Sequence, residues 1–208
     1  VFGLLMIPAG TIAALVTGSL SRKTGWCDWR LTAAILATLD VLWYLTPVGW
    51  EAPFYPVLHW IAFGLAAVFK GKINEFLISP SQRRVTFGVG LSVYMGTMAE
   101  HMTGNLIYIS TIGLVIPLKA VRDAIKAIGM AWLTLGINIP TQTLGDLFMG
   151  MLLISAIERL SITVIATLIG AAVIRILQKG LLPIPSPLKA ETKEGASTGN
   201  KTIQILYG

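Results

Sequence analysis

The chain has 208 residues, of which 54% are hydrophobic and only 12% charged, with a formal net charge of +6. A soluble domain carries about 25% charged residues, so this surface faces something other than water. The basic residues flank apolar runs and form no stripe on a soluble face, which argues against nucleic acid. The lone Cys27 excludes an intrachain disulfide or cysteine-cluster metal site.

The first apolar run, Val1–Leu20, carries Gly10, Ala14 and Gly18 at four-residue spacing with Ala9 and Ala13 alongside. Small residues at that interval let helix backbones approach closely in lipid, and packing within this chain is the expected use. No charged segment or cleavage site marks it as a signal peptide. A short basic loop, Ser21–Arg30, leads to the second run, Leu31–Val48, with Asp40 near its middle. Pro47–Pro56 is an external turn. Trp43, Tyr44, Trp50, Tyr55 and Trp60 gather at that end, as an interfacial aromatic belt does.

The third run, Val57–Phe69, approaches the length of a span only by extending towards Leu77, with Lys70 and Lys72 snorkelling. After the loop Gly71–Arg84, the fourth run, Val85–Ile109, holds the most polar content of any. Between Ser110 and Asp146 the pattern weakens, and Pro117, Pro140 and the charges of Lys119–Lys126 preclude a clean span. Leu118–Ile137 reads as an amphipathic or re-entrant helix over the external mouth. The last run, Leu147–Leu177, is about 46 Å long if helical, more than a core of about 30 Å needs. Leu147–Ile157 therefore reads as a tilted or separate lead-in. Prolines stop the helix after Gly180, and the polar tail is expected to be disordered.

Alternating the gaps puts Arg22, Lys23, Arg30, Lys70, Lys72, Arg83, Arg84, Arg175, Lys179, Lys189, Lys193 and Lys201 on one side. The other side receives only Lys119, Arg122 and Lys126, and Arg159 lies within the last run. Lysine and arginine stay on the cytoplasmic side, so the first side is inside. The expected fold is all-α, a polytopic transmembrane bundle of five spans, or six if an N-terminal helix is missing. Residues 1–180 form the membrane domain, with 110–146 its external segment, and 181–208 a cytoplasmic tail. The expected location is the plasma (inner) membrane.

An ionisable group deep in a bilayer costs about 3 kcal/mol on insertion scales and asks for a reason. Glu100, His101, Thr103 and Asn105 lie in the outer half of the fourth run. Glu158 and Arg159 open the last on the same side, and His59 opens the third. One reading is structural, with Glu100 paired to Arg159 between helices. The preferred one is an outward-facing pocket for a small solute, walled by Glu100, His101, Asn105, Glu158 and Arg159. No H-E-x-x-H, Walker A or nucleophile–base arrangement is present, so no metal, no cofactor and no enzymatic activity are expected.

Phe2–Gly18, rich in Gly, Pro and Ala, resembles the early helices of the substrate-binding S components of energy-coupling factor (ECF) transporters. Gly96-Thr-Met-Ala-Glu-His-Met-Thr-Gly-Asn105 and Ile157-Glu-Arg-Leu-Ser-Ile-Thr-Val-Ile-Ala-Thr-Leu-Ile-Gly170 resemble that family's Gly/acid-rich helix and acid-led final helix. The resemblance implies six helices and capture of a vitamin-like solute from outside. It also implies dependence on a transmembrane coupling subunit and two ATPase subunits, with no ATPase activity in this chain. The family's small-residue contact with the coupling subunit is associated with the N-terminal helix expected to be missing here, so no partner-contact residue carries over. The alternative is a structural or assembly subunit of a membrane complex.

Overall fold

Local sequence sets most of the helix boundaries. A computed structural model describes residues 2–23 and 27–178, and the expected tail, 181–208, lies outside them. The described residues are helical apart from connecting turns and one isolated bridge, Ile112 to Ile116. A short helix α1 (Phe2–Leu5) leads into α2 (Ile7–Leu20), with Pro8 in its first turn, where a missing N–H costs nothing. Asp28 caps α3 (Trp29–Tyr44) by accepting from the Arg30 amide at 2.9 Å. Thr46 caps the short α4 (Pro47–Glu51) in the same way.

The third apolar run does not continue towards Leu77 as expected. Helix α5 (Val57–Phe69) ends at Lys70, whose φ of +45° breaks the helix, and α6 (Lys72–Leu77) starts afresh inside the expected loop. Helix α7 (Gln82–Thr111) runs 30 residues and α8 (Leu118–Thr134) 17. Gly113 and Gly136, both with positive φ, flank α8. The last helix, α9 (Leu144–Ile176), is one continuous run of 33 residues, so the separate lead-in is not found. Helical hydrogen bonding costs nothing to continue through Leu147–Ile157, where no proline or glycine pair interrupts it.

The core forms where α2, α3, α5 and α7 meet. Trp43, Leu36, Met95, Met98 and Met102 are among its largest fully buried side chains, with Val16 and Leu20 from α2. The helices alternate end for end. At one end the Asn74 amide donates to the Ser21 carbonyl and Lys70 lies over the Trp29 ring. At the other, Tyr55 meets residues of α7, and Met6 approaches Gly104.

Close approaches use small residues. A Cβ on Gly96 would lie 2.7 Å from Thr17 Cγ2, where α7 crosses α2, and one on Gly170 would lie 3.0 Å from Val89. The stripe Gly10, Ala14, Gly18 does not serve this packing. Those three residues are exposed, and α2 buries Ala9, Val16, Ser19 and Leu20 instead.

Helix α9 reverses the pattern of a soluble helix. Ser155, Arg159, Thr163, Thr167 and Gly170 are at least partly covered, whereas Leu153, Ile157, Val164, Ile165, Leu168 and Ile169 are exposed. By length and composition, two helical stretches among the described residues can cross a membrane, Gly3–Leu20 and Leu144–Ile176, and Val57–Phe69 is a shorter apolar helix. The chain divides into two units, Val1–Ala171 and Ala172–Gly208. The described part of the second is the last turn of α9 with the two residues beyond it. There Arg175 donates to Gln178 Oε1 at 3.0 Å.

Candidate functional site

The turn after α4 carries the residue around which the site assembles. Ala52–Pro56 folds back over α3, tied by Trp43 Nε1 donating to the Ala52 carbonyl and by Tyr44 Oη donating to that of Pro53. This puts the Tyr55 ring flat on Trp43, 4.9 Å between centroids, with Phe148 of α9 edge-on to both rings. Trp43 and Tyr55 are therefore core residues, not members of an interfacial belt. Trp50 and Trp60 remain exposed at that end.

Tyr55 Oη sits at the centre of a polar chain. It accepts from Asn105 Nδ2 at 3.1 Å and lies 3.0 Å from His101 Nε2, which Ser155 Oγ also reaches at 2.9 Å. With Asn105 donating to the phenol oxygen, the Tyr55 hydroxyl is free to donate to Nε2, which suits an imidazole carrying its proton on Nδ1. Burial pushes the Tyr55 phenol up to about 12, so this donor keeps its proton at neutral pH. His59 stacks on His101 with centroids 5.4 Å apart and planes 7° from parallel, and neither of its nitrogens has a hydrogen-bond partner among the described residues.

Two adjoining cavities share His101, Asn105 and Tyr108 as walls. The smaller, about 220 Å³, is completed by Glu100, Arg159, Gly104 and Met6. The larger, about 330 Å³, is lined by Tyr55, Phe148, Ser155 and Glu158, with Ile128 of α8 among its apolar residues. All five residues singled out from sequence thus line one cavity or both. Glu100 and Arg159 face the same small cavity, but Arg159 pairs with its neighbour Glu158 at 3.8 Å, not with Glu100.

Sequence reading missed Tyr55 and Ser155 as members of this group. Ser155 carried a readable signal, since it lies four residues before Arg159 on the small and polar stripe of α9. Among the described residues, no group of three or more His, Cys, Asp and Glu is placed to hold a metal ion. What the arrangement offers chemically is one cation, two carboxylates and a string of neutral donors and acceptors against aromatic walls.

No known protein family and no solved structure matches the chain. It is similar to an uncharacterized protein of Methanocaldococcus jannaschii, 29% identical over 137 residues. That match covers 61% of this chain and 45% of the relative, so the chain spans less than half of the relative's length.

Proposed function

We propose that the chain is the membrane-embedded solute-binding component of an ECF-type uptake transporter, capturing a small solute from outside. Three things support a bilayer as its solvent. The outer surface of α9 is large and aliphatic while its inner face is small and polar, the inverse of a helix packed in water. Arg22, Lys23, Arg30, Lys70, Lys72, Arg83 and Arg84 border the helix ends gathered near Asn74. The polar chain lies at the opposite end. In this reading α1–α2, α3, α7 and α9 each cross the plasma membrane, the short α5 crosses only together with the α6 that follows it, α8 covers the external mouth and the C-terminus is cytoplasmic.

The observation that carries the binding function is the convergence of Glu100, His101, Asn105, Glu158 and Arg159 on two adjoining cavities. Ionisable side chains held together inside an apolar bundle mark a solute path or site by default. The chain performs no chemistry in this reading, so uptake draws on ATPase subunits and a transmembrane coupling subunit. A structural or assembly role is the second reading, favoured by the unused stripe Gly10, Ala14, Gly18, which offers a second protein a close helix contact.

Native mass spectrometry of the protein extracted gently from its own membrane tests both. The expected result is a bound small molecule or a complex containing ATPase subunits. An empty protein bound to unrelated membrane subunits would sink the transport reading and leave the structural one.

A further inference from the structure

The smaller cavity brings a cation and an anion to one wall without pairing them. Among the described residues Arg159 has one ionic contact, the 3.8 Å approach of its Nη2 to Glu158, which is longer than a hydrogen bond. Its side chain is 20% exposed, and its buried Nε has no hydrogen-bond partner among the described residues. A guanidinium offers five N–H donors, so most of its capacity is unspent in a setting where an unmet donor is costly. Glu100, on the same cavity, makes no hydrogen bond or ion pair among the described residues.

Charge decides which ligand satisfies both. A simple anion would answer Arg159 but face the carboxylates of Glu100 and Glu158. A simple cation would answer Glu100 and leave Arg159 Nε as it is. A compound carrying ammonium and carboxylate on one carbon meets both needs at once. Beyond the shared wall of Tyr108, the larger cavity presents Phe148, Met151 and Ile128, an apolar and aromatic surface of a size suited to a ring.

We propose that the ligand of this site is a zwitterion of the amino-acid type with an apolar or aromatic body. Its ammonium lies against Glu100, its carboxylate against Arg159, and its body in the larger cavity. The inference rests on the solute-binding reading above and narrows it to one charge class.

The test uses the full chain in lipid nanodiscs and calorimetric titration with L-phenylalanine, 3-phenylpropanoate and 2-phenylethylamine. The last two lack the amino and the carboxylate group respectively. L-phenylalanine is expected to bind at least tenfold more tightly than either. Arg159→Gln should bring L-phenylalanine to the affinity of 2-phenylethylamine and leave that amine unaffected, and Glu100→Gln should do the converse with 3-phenylpropanoate. If Arg159→Gln does not fold, Arg159→Lys, which keeps the charge and loses the planar fork, should weaken L-phenylalanine and spare the amine.

Equal affinity for the three compounds, or variants that weaken all three alike, overturns the inference. A co-purifying solute with one sign of charge, or none, overturns it too while solute binding stands. No bound compound in native mass spectra together with no heat from any of the three overturns both.

Discussion

Tyr55 holds its place by two kinds of contact that a substitution can separate. Its ring stacks on Trp43, and its hydroxyl serves Asn105 and His101 together. Tyr55→Phe keeps the stack and removes the hydroxyl, leaving the Asn105 amide without that acceptor and His101 Nε2 with Ser155 alone. Leaving a buried polar group unmet costs about 1–3 kcal/mol, so the variant should unfold at a lower temperature in detergent. Ser155→Ala removes one contact where Tyr55→Phe removes two, and should destabilise less. Equal unfolding temperatures for Tyr55→Phe and the parent would mean that the polar chain is not held as described.

At the scale of helices, the stripe and the crossing point of α2 separate what a spacing reveals from what it does not. Four-residue spacing of Gly10, Ala14 and Gly18 gives a smooth face, but not which neighbour it meets. The neighbour is set by α7, which lies against Ala13 and Thr17 and brings Gly96 with it. Gly96→Val should therefore push α7 off α2 and lower the unfolding temperature markedly, because backbone and Thr17 would both have to shift. Gly18→Ala, on an open face, should change stability by less than about 0.5 kcal/mol. The reverse order in thermal unfolding would place the stripe, not Gly96, at the helix contact.

The same logic explains what else was legible. Helix existence followed from apolar runs and caps such as Asp28, and four ionisable groups with Asn105 at one depth pointed to residues that line two adjoining cavities. Tyr55 was lost because its turn folds back over α3, a long-range event with no local pattern. The break at Lys70 was lost because φ is not written in an apolar run. Asp40 was legible as a deep acid and is fully buried, with neither carboxylate oxygen hydrogen-bonded among the described residues.

For the molecule as a whole, the decisive property is sidedness, because the candidate solute site and the basic loops occupy opposite ends of the bundle. Cys27 is exposed in the loop between α2 and α3, beside Arg22, Lys23 and Arg30, and is the chain's only thiol. Trp50 is 80% exposed in α4, at the end where Tyr55 meets His101. In the proposed topology one crossing by α3 separates the two positions, so an impermeant maleimide should not reach both from one side of a sealed vesicle. Cys27 should be labelled in inside-out vesicles and protected in right-side-out ones, following the cost of moving Lys and Arg across a bilayer. Trp50→Cys in a Cys27→Ser background should show the opposite pattern. Labelling of both from the same side would mean that α3 does not cross. Labelling of Cys27 from outside would turn the bundle over and place the Glu100–Arg159 cavity towards the cytoplasm, where it could not receive a solute for uptake.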